Sequence, residues 1–296
     1  MISEFNVTKN NFEVILGTAN FSLPYGVAQL NQNLPITNPS EIIRKAIQLG
    51  INHLDTATSY QAETLIGELW PNSLDCNITT KLSLQDCTSA LTMRTSVEDS
   101  LKKLKRNSLS TLLLHNPSVL LDNTNPHVIR VLREFLNEEK VMKVGISAYN
   151  EIEIIRAKTL MPELTVFHIS ENICDRRKYS STSLTDMANS GNTFYVRSIF
   201  LQGLLLMDSN QIPKKLENAK KILINFQNMA LEKSFPTLDI CTAYAIAIPW
   251  SSGVIVGANS AQQLTEIKSS LDRAIPLNIA EWPLLDDWTL DPRNWS

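Results

Sequence analysis

The sequence predicts an α/β fold, a closed (β/α)8 barrel of the TIM barrel type in a single domain. Three observations predict it. Eight short apolar runs alternate with helical patterns along the whole chain, and repeated βα units of that kind build a parallel sheet that eight units can close. Between residues 51 and 193 the runs recur every 23–34 residues, which suits one βα unit each. No Gly-x-Gly-x-x-Gly follows any run, so the phosphate loop of a doubly wound nucleotide-binding sheet is missing.

In chain order the predicted strands are residues 14–16, 51–55, 77–81, 111–115, 141–146, 165–169, 193–198 and 253–257. The segments between them space apolar residues three and four apart, as with Val97, Leu101 and Leu104, the mark of a helix with one buried face. Several helix starts are signalled. Asn38 with Glu41, Asn150 with Glu153 and Ser260 with Gln263 each set a capping side chain three residues before Glu or Gln. The step from 193 to 253 is 60 residues, too long for one helix. Residues 201–235 are therefore expected to be an insertion between strands seven and eight, with an added helix over 213–231. Residues 275–296 are expected to form a tail whose Trp282, Trp288 and Trp295 clamp onto the barrel.

Composition narrows the functional class. With 43% hydrophobic residues, 19% charged residues and a formal net charge of -3, the chain has no basic stripe for nucleic acid. Residues 1–10 show no apolar core behind a basic segment, and the most apolar window, 238–250, contains Pro249. Neither export nor membrane insertion is expected, which points to the cytoplasm. Cys76, Cys87, Cys174 and Cys241 are far apart and outside any Cys-x-x-Cys pair, so no zinc knuckle, other metal site or disulfide framework is suggested.

The chemistry is offered at strand ends. The second run closes on Asp55 and turns through small polar residues to Tyr60, and the next two close on Lys81 and His115. Taken singly, Asp55 could be a helix cap, Lys81 a solvated loop lysine and His115 a turn residue before Asn116-Pro117. A closed barrel aims consecutive strand ends at one another. An acid, a phenol, an amine and an imidazole in that order therefore argue for one site.

These residues resemble the aldo-keto reductase family, from Leu16 to about Ile267. Leu16-Gly17-Thr18-Ala19-Asn20-Phe21 is similar to the family's opening strand and substrate loop. Leu54-Asp55-Thr56-Ala57, Tyr60, Glu63 and Gly67 resemble its signature after the second strand, and Thr80-Lys81 and Leu114-His115-Asn116-Pro117 the next two motifs. Lys143-Val144-Gly145-Ile146-Ser147, Arg197-Ser198 and Val256-Gly257-Ala258-Asn259-Ser260 fall where the family binds its nucleotide. The resemblance implies hydride transfer between NAD(H) or NADP(H) and the carbonyl of an aldehyde or ketone, a sugar-like compound included. It implies Asp55, Tyr60, Lys81 and His115 as the catalytic tetrad. Tyr60 would donate the proton, Lys81 would lower the phenol's pKa, Asp55 would hold Lys81, and His115 would polarise the carbonyl. It assigns cofactor binding to Thr18, Ser147, His168, Asn172, Arg197, Ser198, Gln202, Gly203, Gly257, Asn259 and Gln263.

Departures from the family pattern are concentrated at the cofactor. Ala148 stands where members usually have Asn, and His168 where they usually have Gln, so the grip on the nicotinamide carboxamide is altered. Arg197 replaces a stacking tyrosine, and a planar guanidinium can also stack. Asn259 and Gln263 stand where NADPH-preferring members place basic residues, which favours NAD(H); Lys268, one turn on, is the nearest alternative cation. Two other readings compete with the reductase. One is a nucleotide-sensing or regulatory barrel that keeps the tetrad, and the weaker one is a lyase or isomerase with Lys81 as a Schiff-base amine. Pocket walls are expected from Asn20, Phe21, Tyr25, Trp250 and the tail tryptophans.

Overall fold

The computed structural model describes residues 12–22, 26–27, 38–122, 125–273 and 275–295. Eight strands run parallel: β1 (Glu13–Gly17), β2 (His53–Asp55), β3 (Asn77–Leu82), β4 (Thr111–Leu114), β5 (Val144–Ala148), β6 (Leu164–Ser170), β7 (Thr193–Arg197) and β8 (Gly253–Val256). Each pairs with the next and β8 closes on β1. Around them lie α1 (Pro39–Gln48), α2 (Glu63–Leu69), α3 (Ala90–Leu104), α4 (Ser118–Leu121), α5 (His127–Asn137), α6 (Glu151–Leu160), α7 (Thr182–Asn189), α8 (Glu217–Glu232), α9 (Thr237–Ala247), α10 (Ala261–Arg273) and α11 (Asp287–Leu290). The closed (β/α)8 barrel is the fold the sequence predicted. No described helix is long and apolar enough to cross a membrane.

The local signals act through identifiable bonds. Asn38 accepts from the Glu41 amide with Pro39 in the first helical turn, and Asn150 and Glu153 complete a reciprocal capping box on α6. Ser89 starts α3 by accepting from the Thr92 amide, and α3 then buries Met93, Val97, Leu101 and Leu104. Strand residues alternate between two cores. Leu16, Leu54, Leu112, Leu114, Ile146 and Val196 pack outward in the main core shared with the helices. Ile15, Leu113, Val166, Tyr195 and Ile255 form a smaller plug inside the barrel. Backbone contact explains two glycines: a Cβ at Gly145 would lie 1.6 Å from the Val166 carbonyl oxygen, and one at Gly67 would lie 2.1 Å from that of Lys103.

Two strands start later than the apolar runs. Ile51 donates its amide to the Ala46 carbonyl and so belongs to the end of α1, leaving β2 to begin at His53. Val141 makes only an isolated bridge to Leu109, and continuous pairing of β5 with β4 and β6 begins at Val144. An apolar run shows what is buried, not where hydrogen-bond pairing begins.

The long connection after β7 turns through Ser198, Leu201, Gln202 and Gly203, all at positive φ. Short 3-10 turns follow at Leu201–Leu206, Ser209–Gln211 and Lys214–Leu216 before α8. The tail packs on this segment, with Trp282 edge-on to Phe226 of α8 at 5.4 Å.

A buried ionic cluster fastens the loop after β6. Lys178 Nζ lies 3.0 Å from Glu171 Oε2 and 3.4 Å from Asp175, and the Tyr244 hydroxyl of α9 donates to Glu171 Oε1 at 2.8 Å. Burial outweighs Lys178 here and pushes the Glu171 carboxyl from 4.5 up to about 7. A raised folded pKa means the folded state holds this proton more tightly, so stability from this group is full below about 4.5 and falls as pH rises through 7. Glu171→Gln is therefore expected to change the melting temperature more favourably at pH 8 than at pH 5, because it removes the group whose ionisation lowers stability as pH rises. Thermal unfolding at both pH values checks this. An equal shift at the two would remove the carboxylate as the cause.

Candidate active site

Three consecutive strand ends, those of β2, β3 and β4, meet at the C-terminal face. Lys81, inward on β3, donates to Asp55 Oδ2 at 2.6 Å and to the Thr56 carbonyl at 2.8 Å, and is only 2% exposed. Tyr60 follows on a 3-10 turn, Thr58–Tyr60, with Lys81 Nζ 5.0 Å from its ring centroid. His115 sits one residue beyond β4, its amide donating to the Leu82 carbonyl at 2.9 Å. The Tyr60 hydroxyl is 3.5 Å from His115 Nε2, and the rings meet edge to face. All four line one cavity of ≈ 380 Å³.

The electrostatics differ from the sequence expectation in one respect. Burial, then the Asp55 charge, raises the Tyr60 phenol above its ordinary value, with Arg197 opposing. The phenol consequently keeps its proton at every physiological pH. Burial and then the Lys81 and Arg197 charges lower His115 to about 3, so the imidazole is neutral there. Lys81, bonded as an ammonium to a carboxylate and a carbonyl, does not suit a Schiff-base amine, which must be unprotonated to attack.

Asp86 is a residue that sequence reasoning missed. Its Oδ2 accepts from the Thr58 hydroxyl at 2.6 Å and from the Ser83 amide and hydroxyl at 2.7 Å, and its Oδ1 accepts from Ser96. Burial raises its pKa, but these donors outweigh burial and hold the carboxyl below its ordinary value. The Thr58 hydroxyl also lies 3.1 Å from the Lys81 carbonyl, so Asp86 ties the Tyr60 turn to β3. The only signal was Ser83 three residues before Asp86. Asp86→Ala is expected to cost about 2–3 kcal/mol, on the scale of lost charged hydrogen bonds, and to lower kcat about tenfold through misplacement of Tyr60. Urea unfolding and steady-state kinetics on the same preparation test both.

Away from Tyr60 the cavity is lined by Thr18, Ser147, Arg197, Ser198, Gln202, Gly203, Gly257, Asn259 and Gln263. Nine of the eleven sequence-assigned cofactor residues are thus brought together. His168 and Asn172 are not. His168 is fully buried beneath the site, 3.5 Å from Asp55, and Asn172 turns its Oδ1 to the Cys174 amide. Tyr149 was missed: it lines the cavity directly after Ala148, with the Arg197 guanidinium 4.4 Å from its ring centroid. Asn20 also lines it, donating to the Ala258 carbonyl and to Asn259 Oδ1. Phe21 lies in the core, and Tyr25 lies outside the described residues. Trp250 is a core residue with Nε1 on the Lys178 carbonyl, Trp282 and Trp295 are buried, and the tail reaches the cavity through Pro292.

An elongated nucleotide suits this lining. Space is open where a Cβ would stand on Gly203 and Gly257, so ligand atoms can approach backbone there. The buried Arg197 Nε has no hydrogen-bond partner among the described residues. At the far end the Asn259 amide donates to Gln263 Oε1 and the Gln263 amide to Ser260, which draws the helix start into a closed turn.

Comparison with known proteins agrees with the barrel fold. The aldo-keto reductase AKR11C1 from Bacillus halodurans, in its holo form, is similar with a TM-score of 0.70 and 19% identity, over 91% of this chain and 89% of that one. The glycerol dehydrogenase AKR11B4 from Gluconobacter oxydans is similar with a TM-score of 0.65 and 17% identity, over 97% of both chains. A search of curated proteins finds no match. The profile of the Aldo/keto reductase family matches residues 13–289. With nearly the whole chain inside that match, the protein belongs to the aldo/keto reductase family.

Proposed function

We propose that the protein reduces the carbonyl of an aldehyde or ketone with NAD(H), Tyr60 giving the proton. The observation that carries this is the Tyr60 hydroxyl and His115 Nε2 set 3.5 Å apart in a cavity behind which Lys81 is bonded to Asp55. A bound nicotinamide nucleotide supplies hydride to the carbonyl carbon. Tyr60 protonates the oxygen as negative charge develops on it, within hydrogen-bond reach. A neutral His115 donates a second hydrogen bond to that oxygen and fixes its direction. Lys81 is ion-paired with Asp55 behind the phenol and offsets part of the carboxylate charge that raises it. Ser147, Arg197, Ser198, Gln202, Gly203 and Gly257 are the residues that would hold the nucleotide. The polar and aromatic walls Asn20, Tyr149 and Phe200 suit a small polyhydroxy carbonyl compound.

Preference for NAD(H) follows from the far end of the cavity. Among the described lining residues the cationic side chains are Lys81 and Arg197, both near Tyr60. Lys268 is ion-paired with Asp272 at 2.6 Å. A 2′-phosphate there would lack the charged hydrogen bonds worth roughly 1.5–3 kcal/mol each. Fluorescence titration with NADH and NADPH in parallel is expected to show tighter NADH binding or near-equal affinity. NADPH binding tenfold tighter would overturn the preference, and Lys268→Ala would then test that lysine. A nucleotide-sensing barrel is favoured by Ala148 and by the withdrawal of His168 and Asn172 from the cavity. NADH binding without turnover on any aldehyde, ketone or sugar of a panel would select it.

A further inference from the structure

We infer that His168 is a positioning residue for the Asp55–Lys81 pair, its Nδ1–H donating to the second oxygen of the Asp55 carboxylate from beneath. Asp55 divides its oxygens. Oδ2 accepts from Lys81 Nζ, while Oδ1 faces His168 Nδ1 at 3.5 Å. Both atoms are buried, neither has a hydrogen-bond partner among the described residues, and at this separation each is the nearest group able to match the other. A buried carboxylate oxygen left unmatched is costly, and the group opposite is the one that can match it.

Strand tilt puts His168 at this depth. Residues in register, from Glu13 through Gly253, Tyr195 and His168 to Ser147, form a row that crosses five strands. In a tilted barrel such a row climbs from one mouth to the other. Ser147 reaches the cavity, while His168, one strand back, stops below it. Tyr195 meets the His168 ring edge-on at 5.8 Å and donates its hydroxyl to Glu13, which also bonds His53 Nδ1. The floor beneath His168 is thus held in place, and the ring is confined between it and Asp55.

The tautomer follows from chemistry. Burial, then the Lys81, His53 and Arg197 charges, hold His168 well below the ordinary imidazole pKa, so the ring is neutral with one N–H. A proton on Nδ1 meets the Asp55 carboxylate and leaves only an acceptor unpaired at Nε2. A proton on Nε2 would leave a buried donor unpaired and set a lone pair against the carboxylate. The Nδ1–H form keeps the carboxylate aligned on Lys81 and so holds the pair in one geometry behind the phenol. The ring does not line the cavity, which separates this role from cofactor binding.

The kinetic arm of the test rests on the reductase reading, and the spectroscopic arm does not. Nitrogen-15 NMR of the cofactor-free protein, which has four histidines, is expected to show His168 as the Nδ1–H tautomer, unchanged from about pH 5 to about pH 8 as for a buried neutral ring. His168→Asn, whose amide nitrogen falls near the place of Nδ1, assigns the signal by its loss. His168→Leu is expected to lower kcat about tenfold and His168→Asn by no more than about twofold, with NADH affinity unchanged in both, as for one lost hydrogen bond outside the binding site. An Nε2–H tautomer overturns the proposal. So does a Leu variant with the parent's kcat, or an Asn variant as impaired as Leu. Should the Leu variant not fold, the tautomer in the parent decides. Should the protein bind no NADH, only the reductase reading falls.

Discussion

Tyr60→Phe is expected to lower kcat for carbonyl reduction by 10²-fold or more, roughly the general-acid contribution, with little change in NADH affinity. The phenol keeps its proton at neutral pH, because burial and Asp55 raise it, and it stands beside a His115 that is lowered to about 3 and is neutral. Removing one oxygen leaves the ring packed against His115 and leaves Lys81 bonded to Asp55. The loss therefore belongs to proton transfer and not to folding. Single-turnover measurements with NADH, alongside equilibrium binding, separate the two. A variant that kept most of its turnover would show that another group protonates the alkoxide.

Lys81→Met is expected to be comparably severe in turnover and, unlike Tyr60→Phe, to cost stability. The side chain is 2% exposed and its partner Asp55 5% exposed, and breaking a buried pair from one side typically costs about 3–5 kcal/mol. The unpaired Asp55 charge would raise the phenol further, making it a weaker acid. Stability and turnover should then separate in a double variant. Asp55→Leu with Lys81→Met removes both charges and is expected to recover most of the lost stability while turnover stays low, because nothing then orders the site around Tyr60. Calorimetry with kinetics on the single and double variants checks this. A Lys81→Met protein with raised KM and normal kcat would make the lysine a substrate anchor instead.

The arrangement of the tetrad was legible because the barrel converts strand ends into neighbours. Asp55, Lys81 and His115 close consecutive apolar runs, so their order along the chain is their order around the mouth. Asp86 was not legible in the same way. Its importance lies in hydroxyls from Thr58, Ser83 and Ser96 converging on one carboxylate, and only folding brings those segments together. Trp250 failed in the opposite direction: a large aromatic near the last strand suggested a pocket wall, yet its indole is satisfied by the Lys178 carbonyl inside the core.

The sequence by itself determined the closed barrel, the helix starts at Asn38 and Asn150, and the set of groups at the C-terminal mouth. These depend on periodicity, on short-range capping and on strand order, all properties of residues near one another in the chain. Depth was decided only by the tertiary structure. Inward residues in one register row lie at different heights because the strands tilt, so Ser147 reaches the cavity and His168 stays beneath it against Asp55. Burial then set the proton positions. It raised Tyr60, lowered His115 and left Lys81 to balance Asp55, since the cost of charge depends on how much water each group has lost.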